Sequence, residues 1–324
     1  MDLQSLPLVS IVTPAFNEEE HLSECIESVL TQTYSNWDCT IVNNCSTDGT
    51  LAIAQKYAAS DLRIRVITND TLIPAVANFN MAFRQIAPTS KYCKMILADD
   101  WMFPECLERM VAVMEEHPTV GIVGAYGLAN QWVVWMGLPY PSEFVSGREV
   151  CRQRLLGGPY VFGSQSSVLF RSDLVRSHNL FYDEKSEHPD SEVCFELLKR
   201  CDFGFVHQVL TFSRVRSESL LEASRELNTL APSMLRELVV YGRHYLSPEE
   251  YADRLTALVS SYYDFLATSF FERRPRAFWD YHKRKLQEEG IEFSRTRLAY
   301  MVSRRILRRL RPARSKSRTR QWGI

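Results

Sequence analysis

The chain has 324 residues, of which 45% are apolar and 24% charged, with a net charge of −1. These proportions argue against a disordered chain and leave room for one large core with an appendage, or two modest domains. Eight cysteines are scattered with no pair at CxxC spacing, a pattern that points to reduced, mostly buried thiols and to the cytosol.

The opening MDLQSLPLVSIV has neither a basic region nor a long apolar stretch, so no signal peptide is expected. LVSIVT (8–13) reads as a first strand, and Leu22, Ile26, Val29 and Leu30 form one face of the helix after it. Asn17 with Glu20 three positions on offers that helix a capping pair. DCTIVNN (38–44) is a second strand, and Ser46-Thr47-Asp48-Gly49 turns into a helix at Thr50. RIRVIT (63–68) is a third, followed by a helix from Pro74 to Ile86. KYCKMILA (91–98) is a fourth, ending in Asp99-Asp100, and Pro104 starts the helix CLERMVAVMEEH.

Residues 121–140 are long enough to span a bilayer, but four glycines, Asn130, Gln131 and Pro139 argue for strand and loop instead. Further strands are expected near 120–127, 166–171 and 203–212, with a helix over Glu192–Arg200. Alternation of strands and helices over this length predicts an α/β fold with a mostly parallel sheet. After Leu221 only helical patterns remain, which sets a domain boundary near 220: an α/β domain over 1–220 and a helical region over 221–324. From Arg295 to the end there are ten Arg and one Lys without an acid, a local charge of +11 that leaves −12 for the rest. Met301, Val302, Ile306, Leu307 and Leu310 fall near one helical face there. A basic amphipathic segment suits an anionic membrane surface; a solvated tail is the alternative, and nucleic-acid binding is not expected.

In an open α/β sheet, ligands bind beyond the carboxyl ends of the strands. Three strands end in polar clusters at that edge: Pro14-Ala15-Phe16-Asn17-Glu18, Asn43-Asn44-Cys45-Ser46-Thr47-Asp48 and Asp99-Asp100. The stretch VSIVTPAFNEEEHLSECIESVLTQTYSNWDCTIVNNCSTDGT resembles the opening of family-2 glycosyltransferases, a strand, then PxYNxE, then a strand ending VDDGSTDGT. The resemblance extends over about 7–217. It implies a GT-A fold, a Rossmann-like mixed and mostly parallel sheet flanked by helices. It also implies transfer of a sugar, with inversion, from a nucleotide-diphosphate sugar (a UDP-sugar first among them) to a hydroxyl acceptor.

By this resemblance Pro14, Ala15, Phe16, Asn17 and Glu18 line the donor pocket, and Asn43 stands where the family has a base-contacting aspartate. Asn78 is a supporting donor contact. Asp99-Asp100 matches the acidic motif that holds Mn²⁺ or Mg²⁺, with Asp100 the ligand and Asp99 on the ribose or a metal-bound water; Leu97 replaces a further aspartate. Hard divalent cations prefer such oxygen donors. Asp190 in HPDSEVCFELLKR falls on the catalytic-base position, with Glu192 as the alternative and Pro189 in place of a glutamate. Arg214 and Arg216 in TFSRVR would meet the diphosphate, as guanidinium groups suit phosphate. The acceptor is expected to be a saccharide or lipid-linked saccharide of cell-surface polysaccharide or glycolipid synthesis, and the protein cytoplasmic and peripheral on the inner membrane face. A nucleotidyltransferase would favour a glycine-rich basic loop after the first strand, which TPAFNEEE lacks. A non-catalytic relative is the other reading, and Asn43, Leu97 and Pro189 are its support.

Overall fold

A computed structural model of the chain describes residues 6–214 and 227–310. It divides into two compact units, Met1–Ser219 with His244–Leu246, and Leu220–Arg243 with Ser247–Ile324.

The first unit begins with β1 (Val9–Ala15), α1 (Leu22–Leu30), β2 (Trp37–Asn43), α2 (Thr50–Ser60), β3 (Ile64–Thr68), α3 (Ala75–Phe83) and β4 (Tyr92–Met95). It continues with β5 (Trp101–Met102), α4 (Cys106–Glu116), β6 (Val120–Ala129), β7 (Trp132–Val134), β8 (Phe144–Val145) and α5 (Gly147–Leu155). β9 (Leu169–Arg171), α6 (Ser172–Arg176), α7 (Pro189–Leu197) and β10 (Asp202–Ser213) complete it.

The strands form one mixed sheet in the order β3-β2-β1-β4-β9-β6-β10-β5, with β7 on β6 and β8 on β10. β1, β2, β3 and β4 run parallel, as do β6 and β10; β9 lies antiparallel between β4 and β6. Every residue of β1 is buried, as a central parallel strand covered on both faces requires. Leu22, Cys25, Ile26 and Val29 of α1 and Leu107, Met110, Val111 and Met114 of α4 close over the same core. All eight cysteines are free thiols, and seven of them are buried.

Register fixes the active edge. Ala15 stands level with Asn43, and Asn43 with Thr68, so the loops after β1, β2 and β3 emerge together. β4 stops at Met95, three residues before the apolar run does, so Ile96–Asp100 forms a turn at that edge.

The expected cap of α1 is absent, whereas the strand and loop expected at 121–140 are present. α1 starts at Leu22 behind His21 with no side-chain cap, because Asn17 and Glu19 bond across to the loop after β2 instead. The apolar run at 121–140 is the strand β6 and the hairpin strand β7, and among the described residues no helix is long and apolar enough to cross a membrane.

The second unit is helical: α8 (Leu230–Tyr245, whose last two residues count with the first unit), α9 (Pro248–Phe271), α10 (Arg276–Glu288) and α11 (Arg295–Leu310). Ser247 and Glu250 form a reciprocal capping box at the start of α9, with Pro248 at its first position. His282 of α10, fully buried, bonds the Tyr262 hydroxyl at 2.7 Å and the Leu227 carbonyl at 2.8 Å. α11 rests on α9 through buried Met301 and through a two-pronged Arg305–Asp264 pair at 3.0 and 2.6 Å.

Candidate active site

The loops after β1 and β2 are sewn together by side chain–backbone bonds. Asn17 adopts a left-handed backbone (φ 53°), which Asn tolerates better than most residues. Its Oδ1 accepts from the Thr47 N–H at 2.9 Å, and its own N–H donates to the Ser46 hydroxyl at 3.0 Å. The Glu18 N–H donates to the Thr50 hydroxyl at 2.7 Å, and the Gly49 N–H to Glu19 Oε2 at 2.7 Å. A side chain at 49 would put its Cβ 2.9 Å from that same oxygen, so the glycine permits the close approach.

Asn44 fastens the next loop. Its amide donates to the Ile73 carbonyl at 2.8 Å, while its Oδ1 accepts from the Ile73 N–H at 3.1 Å and from Asn69 at 2.9 Å. Asn69 also donates to buried Asn78 at 2.9 Å.

Between these loops and the acid turn lies a cleft of about 600 Å³, lined by Pro14, Phe16, Glu18, Asn44, Ile73, Pro74, Asn78, Phe79, Leu97 and Asp99, among others. Ala15 and Asn17 do not line it. Asn43 is 1% exposed, and its Oδ1 is bonded to the Ser46 N–H at 3.2 Å; its neighbour Asn44 is the one at the cleft wall.

The two acids differ. Asp99 faces the cleft, whereas Asp100 is buried behind it, accepting from the Ser213 hydroxyl at 3.2 Å and the Arg214 N–H at 3.0 Å. Burial pushes the Asp100 carboxyl up to about 7; the adjacent Asp99 charge adds to the rise, and bonds from Ser166, Arg214 and Ser213 oppose it. Among the described residues no basic side chain forms an ion pair with Asp100. Two neighbouring carboxylates, one of them buried without a cation, make an oxygen donor set that fits a hard divalent ion.

Lys94 of β4, fully buried, supports this turn: its Nζ donates to the carbonyls of Ser166 at 2.6 Å and Val168 at 3.2 Å. The Ser166 hydroxyl in turn accepts the Leu97 N–H at 3.1 Å. A lysine inside the apolar run YCKMILA was the available signal for this residue, whereas nothing in the sequence singles out Asn69 or Ile73.

Asp190 is the second residue of α7 and bonds its own neighbour's N–H, that of Ser191, at 3.0 Å. It keeps some accessible surface, while protein packed about the carboxyl pushes its pKa up; the Ser191 N–H and His188 pull the other way. Glu192 is buried and accepts from the Ser186 hydroxyl at 2.9 Å, a bond that ties down the preceding loop. The Arg214 guanidinium holds Glu24 at 2.6 Å and the Asp99 carbonyl at 3.4 Å. Arg216 lies outside the described residues. Asn80, near the expected contact Asn78, is structural, bonding Tyr182 main-chain atoms at 2.9 and 2.8 Å. Trp101 stacks on Phe212 (5.0 Å, 14°), so that ring is used in packing.

At the opposite, amino edge of the sheet a smaller hollow of about 330 Å³ is lined by Lys91, Glu115, Arg171 and Asp173, which pair with one another. The Glu116, His117 and Glu143 cluster also lies by the start of β6, away from the acid turn.

The pattern of glycosyl transferase family 2 matches residues 10–178. The chain is 40% identical over 163 residues to the putative glycosyltransferase EpsE of Bacillus subtilis, covering 48% of this chain and 57% of that one. It is 30% identical over 149 residues to WfgD of Escherichia coli, a UDP-Glc:α-D-GlcNAc-diphosphoundecaprenol β-1,3-glucosyltransferase, covering 46% and 55%. These alignments span a little over half the length of each relative. S. aureus TarS 1-349, solved with UDP-GlcNAc, shares the fold at a TM-score of 0.67 and 16% identity, over 92% of this chain and 88% of that one.

Proposed function

The chain belongs to glycosyl transferase family 2, and from that premise we propose that it moves a sugar from a UDP-sugar to a hydroxyl acceptor with inversion at the anomeric carbon. One observation carries the proposal: the cleft of about 600 Å³ joins the clamped β1 and β2 loops to an acid pair at the carboxyl edge of a parallel sheet. The relative TarS, of the same fold, is solved with UDP-GlcNAc, which supports a uridine nucleotide here.

In this reading the Phe16 ring, 43% exposed at the cleft, stacks on the base, and Asn44 and Asn78 supply amide groups beside it. Asp99 from the cleft wall, with Asp100 behind it, would hold Mn²⁺ or Mg²⁺, whose chemistry is to neutralise the charge that develops on the diphosphate. Arg214 adds a cation to the same group once it lets go of Glu24. Asp190 takes the proton of the acceptor hydroxyl; a carboxyl raised toward neutrality is a stronger base than an ordinary one. Glu192 keeps the α7 entry in place for it.

The acceptor class we assign is a saccharide or lipid-linked saccharide, supported by the likeness to WfgD. α11 supports a position beside the membrane. Its Met301 is buried, whereas Tyr300, Ile306 and Leu307 are 60%, 43% and 61% exposed. That outward stripe on the Arg-rich segment suits an anionic bilayer, and sedimentation with phosphatidylglycerol vesicles but not with phosphatidylcholine ones tests it.

The enzymatic reading is tested by incubating purified protein with a panel of nucleotide sugars, with and without Mn²⁺. Metal-stimulated release of UDP that disappears in Asp99→Asn is expected. Release that is absent for every donor, or equal in that variant, overturns it.

A further inference from the structure

We propose that Gly127, Trp135 and Thr211 form a saccharide subsite for the acceptor, closed in this structure by the Trp135 indole; the proposal rests on the sugar-transfer reading and names where its second substrate sits. β6 and β10 run parallel with Gly127 level with Thr211 and Ala129 level with Ser213. The Ser213 hydroxyl reaches Asp100, so Gly127 and Thr211 lie two residues back along their strands from the acid turn.

Gly127 has no side chain, and a Cβ there would stand 3.0 Å from Trp135 Nε1 and 3.1 Å from Thr211 Oγ1. Two polar atoms therefore converge on the space that the missing Cβ leaves. Both are buried, and neither has a hydrogen-bond partner. Such groups are rare in folded proteins, because each forfeits its bonds to water without replacement. Trp135 adds a second cost, since it holds φ at 72°, a left-handed backbone that a bulky aromatic residue seldom adopts. Strain and unmet polar groups at one spot beside a reaction centre mark a conformation that ligand binding can relieve.

The chemistry selects the ligand. The indole N–H only donates, and the threonine hydroxyl donates or accepts. The Tyr160 ring lies 6.2 Å from that of Trp135, so aromatic faces stand beside the two polar atoms. A pyranose offers the matching surfaces, an apolar C–H face and equatorial hydroxyls. Trp135 must swing away to admit it. Trp135 is itself only partly buried and the adjacent Met136 is 58% exposed, so the ring has solvent to swing into.

Saturation-transfer NMR with octyl β-glucoside and octyl N-acetyl-β-glucosaminide, in the presence of UDP and Mn²⁺, tests the assignment. Wild type should transfer saturation to the ring protons of at least one glycoside. Thr211→Val and Trp135→Phe should each weaken that signal about fivefold while UDP affinity stays within about twofold, and Thr211→Val should also melt higher, because an isosteric methyl replaces an unpartnered hydroxyl. Full glycoside signals in both variants, or none from wild type with either glycoside, would overturn the subsite. Failure of UDP to bind wild type in the same samples would instead overturn the donor reading.

Discussion

The two halves of one sheet treat their polar groups in opposite ways. On the donor side, between β1 and the acid turn, Asn17, Glu19, Asn44 and Asn69 each bond across to a neighbouring loop, and no described residue before 120 has a buried side-chain polar atom without a partner. On the acceptor side, Trp135 and Thr211 each bury such an atom. The lesson is one of preorganisation. A nucleotide common to many enzymes can be met by a rigid, fully bonded cradle, whereas groups reserved for a particular acceptor stay unsatisfied until it arrives.

The largest expected effect lies on the acceptor side. Asp190→Asn should lower transfer by about 10²–10⁴-fold with the KM for donor unchanged, since only proton removal is lost; a matching rise in donor KM would break the division of labour. Asp99→Asn should cost about 10²–10³-fold in donor turnover and abolish stimulation by Mn²⁺. Asn44→Ala removes three bonds that hold the loop at Ile73 and should destabilise the fold by about 2–4 kcal/mol while raising donor KM, read by urea unfolding and initial rates.

A pH effect of smaller size follows from Asp100. Its folded pKa of about 7 lies above the ordinary carboxylate value, so between the two the folded protein keeps a proton that the unfolded chain has released. Stability of metal-free protein should therefore decline as pH rises from about 4 to 7 and level off above that, by about 2–4 kcal/mol. A cation must displace that proton, so stabilisation by Mn²⁺ with UDP should be greater at pH 8 than at pH 6 in thermal-shift measurements. Smallest of all, Glu24→Ala should leave stability within about 1 kcal/mol, because its pair with Arg214 is half exposed. It should nonetheless tighten UDP binding if Arg214 turns to the diphosphate.

The donor side was the more legible in sequence because its elements follow one local rule each: buried parallel strands read as continuous apolar runs, and their ends read as polar clusters. Helices with a clear apolar face, such as α1 and α4, were visible for the same reason. What stayed hidden depended on distant partners. β5, two residues long, exists only because Trp101 and Met102 pair with Phe212 and Thr211. The mean hydropathy of α5 is low, with three arginines in nine residues, so its buried Val150, Cys151 and Leu155 gave too narrow a stripe to notice. Asn44 lines the cleft while Asn43 is buried and bonded to the Ser46 N–H, a difference set by contacts of the folded loop rather than by the motif. Gly127, Trp135 and Thr211 meet only through the register of β6 with β10 and the turn after β7.

Calorimetric titration of UDP into wild-type protein and into Asp99→Asn at pH 8, with and without Mn²⁺, bears most directly on the acid pair as the metal-dependent diphosphate site. Binding to wild type should tighten by about tenfold or more with Mn²⁺, worth about 1.4 kcal/mol, and the variant should show no such gain. Equal affinity with and without the ion in wild type, or an undiminished gain in the variant, would contradict it.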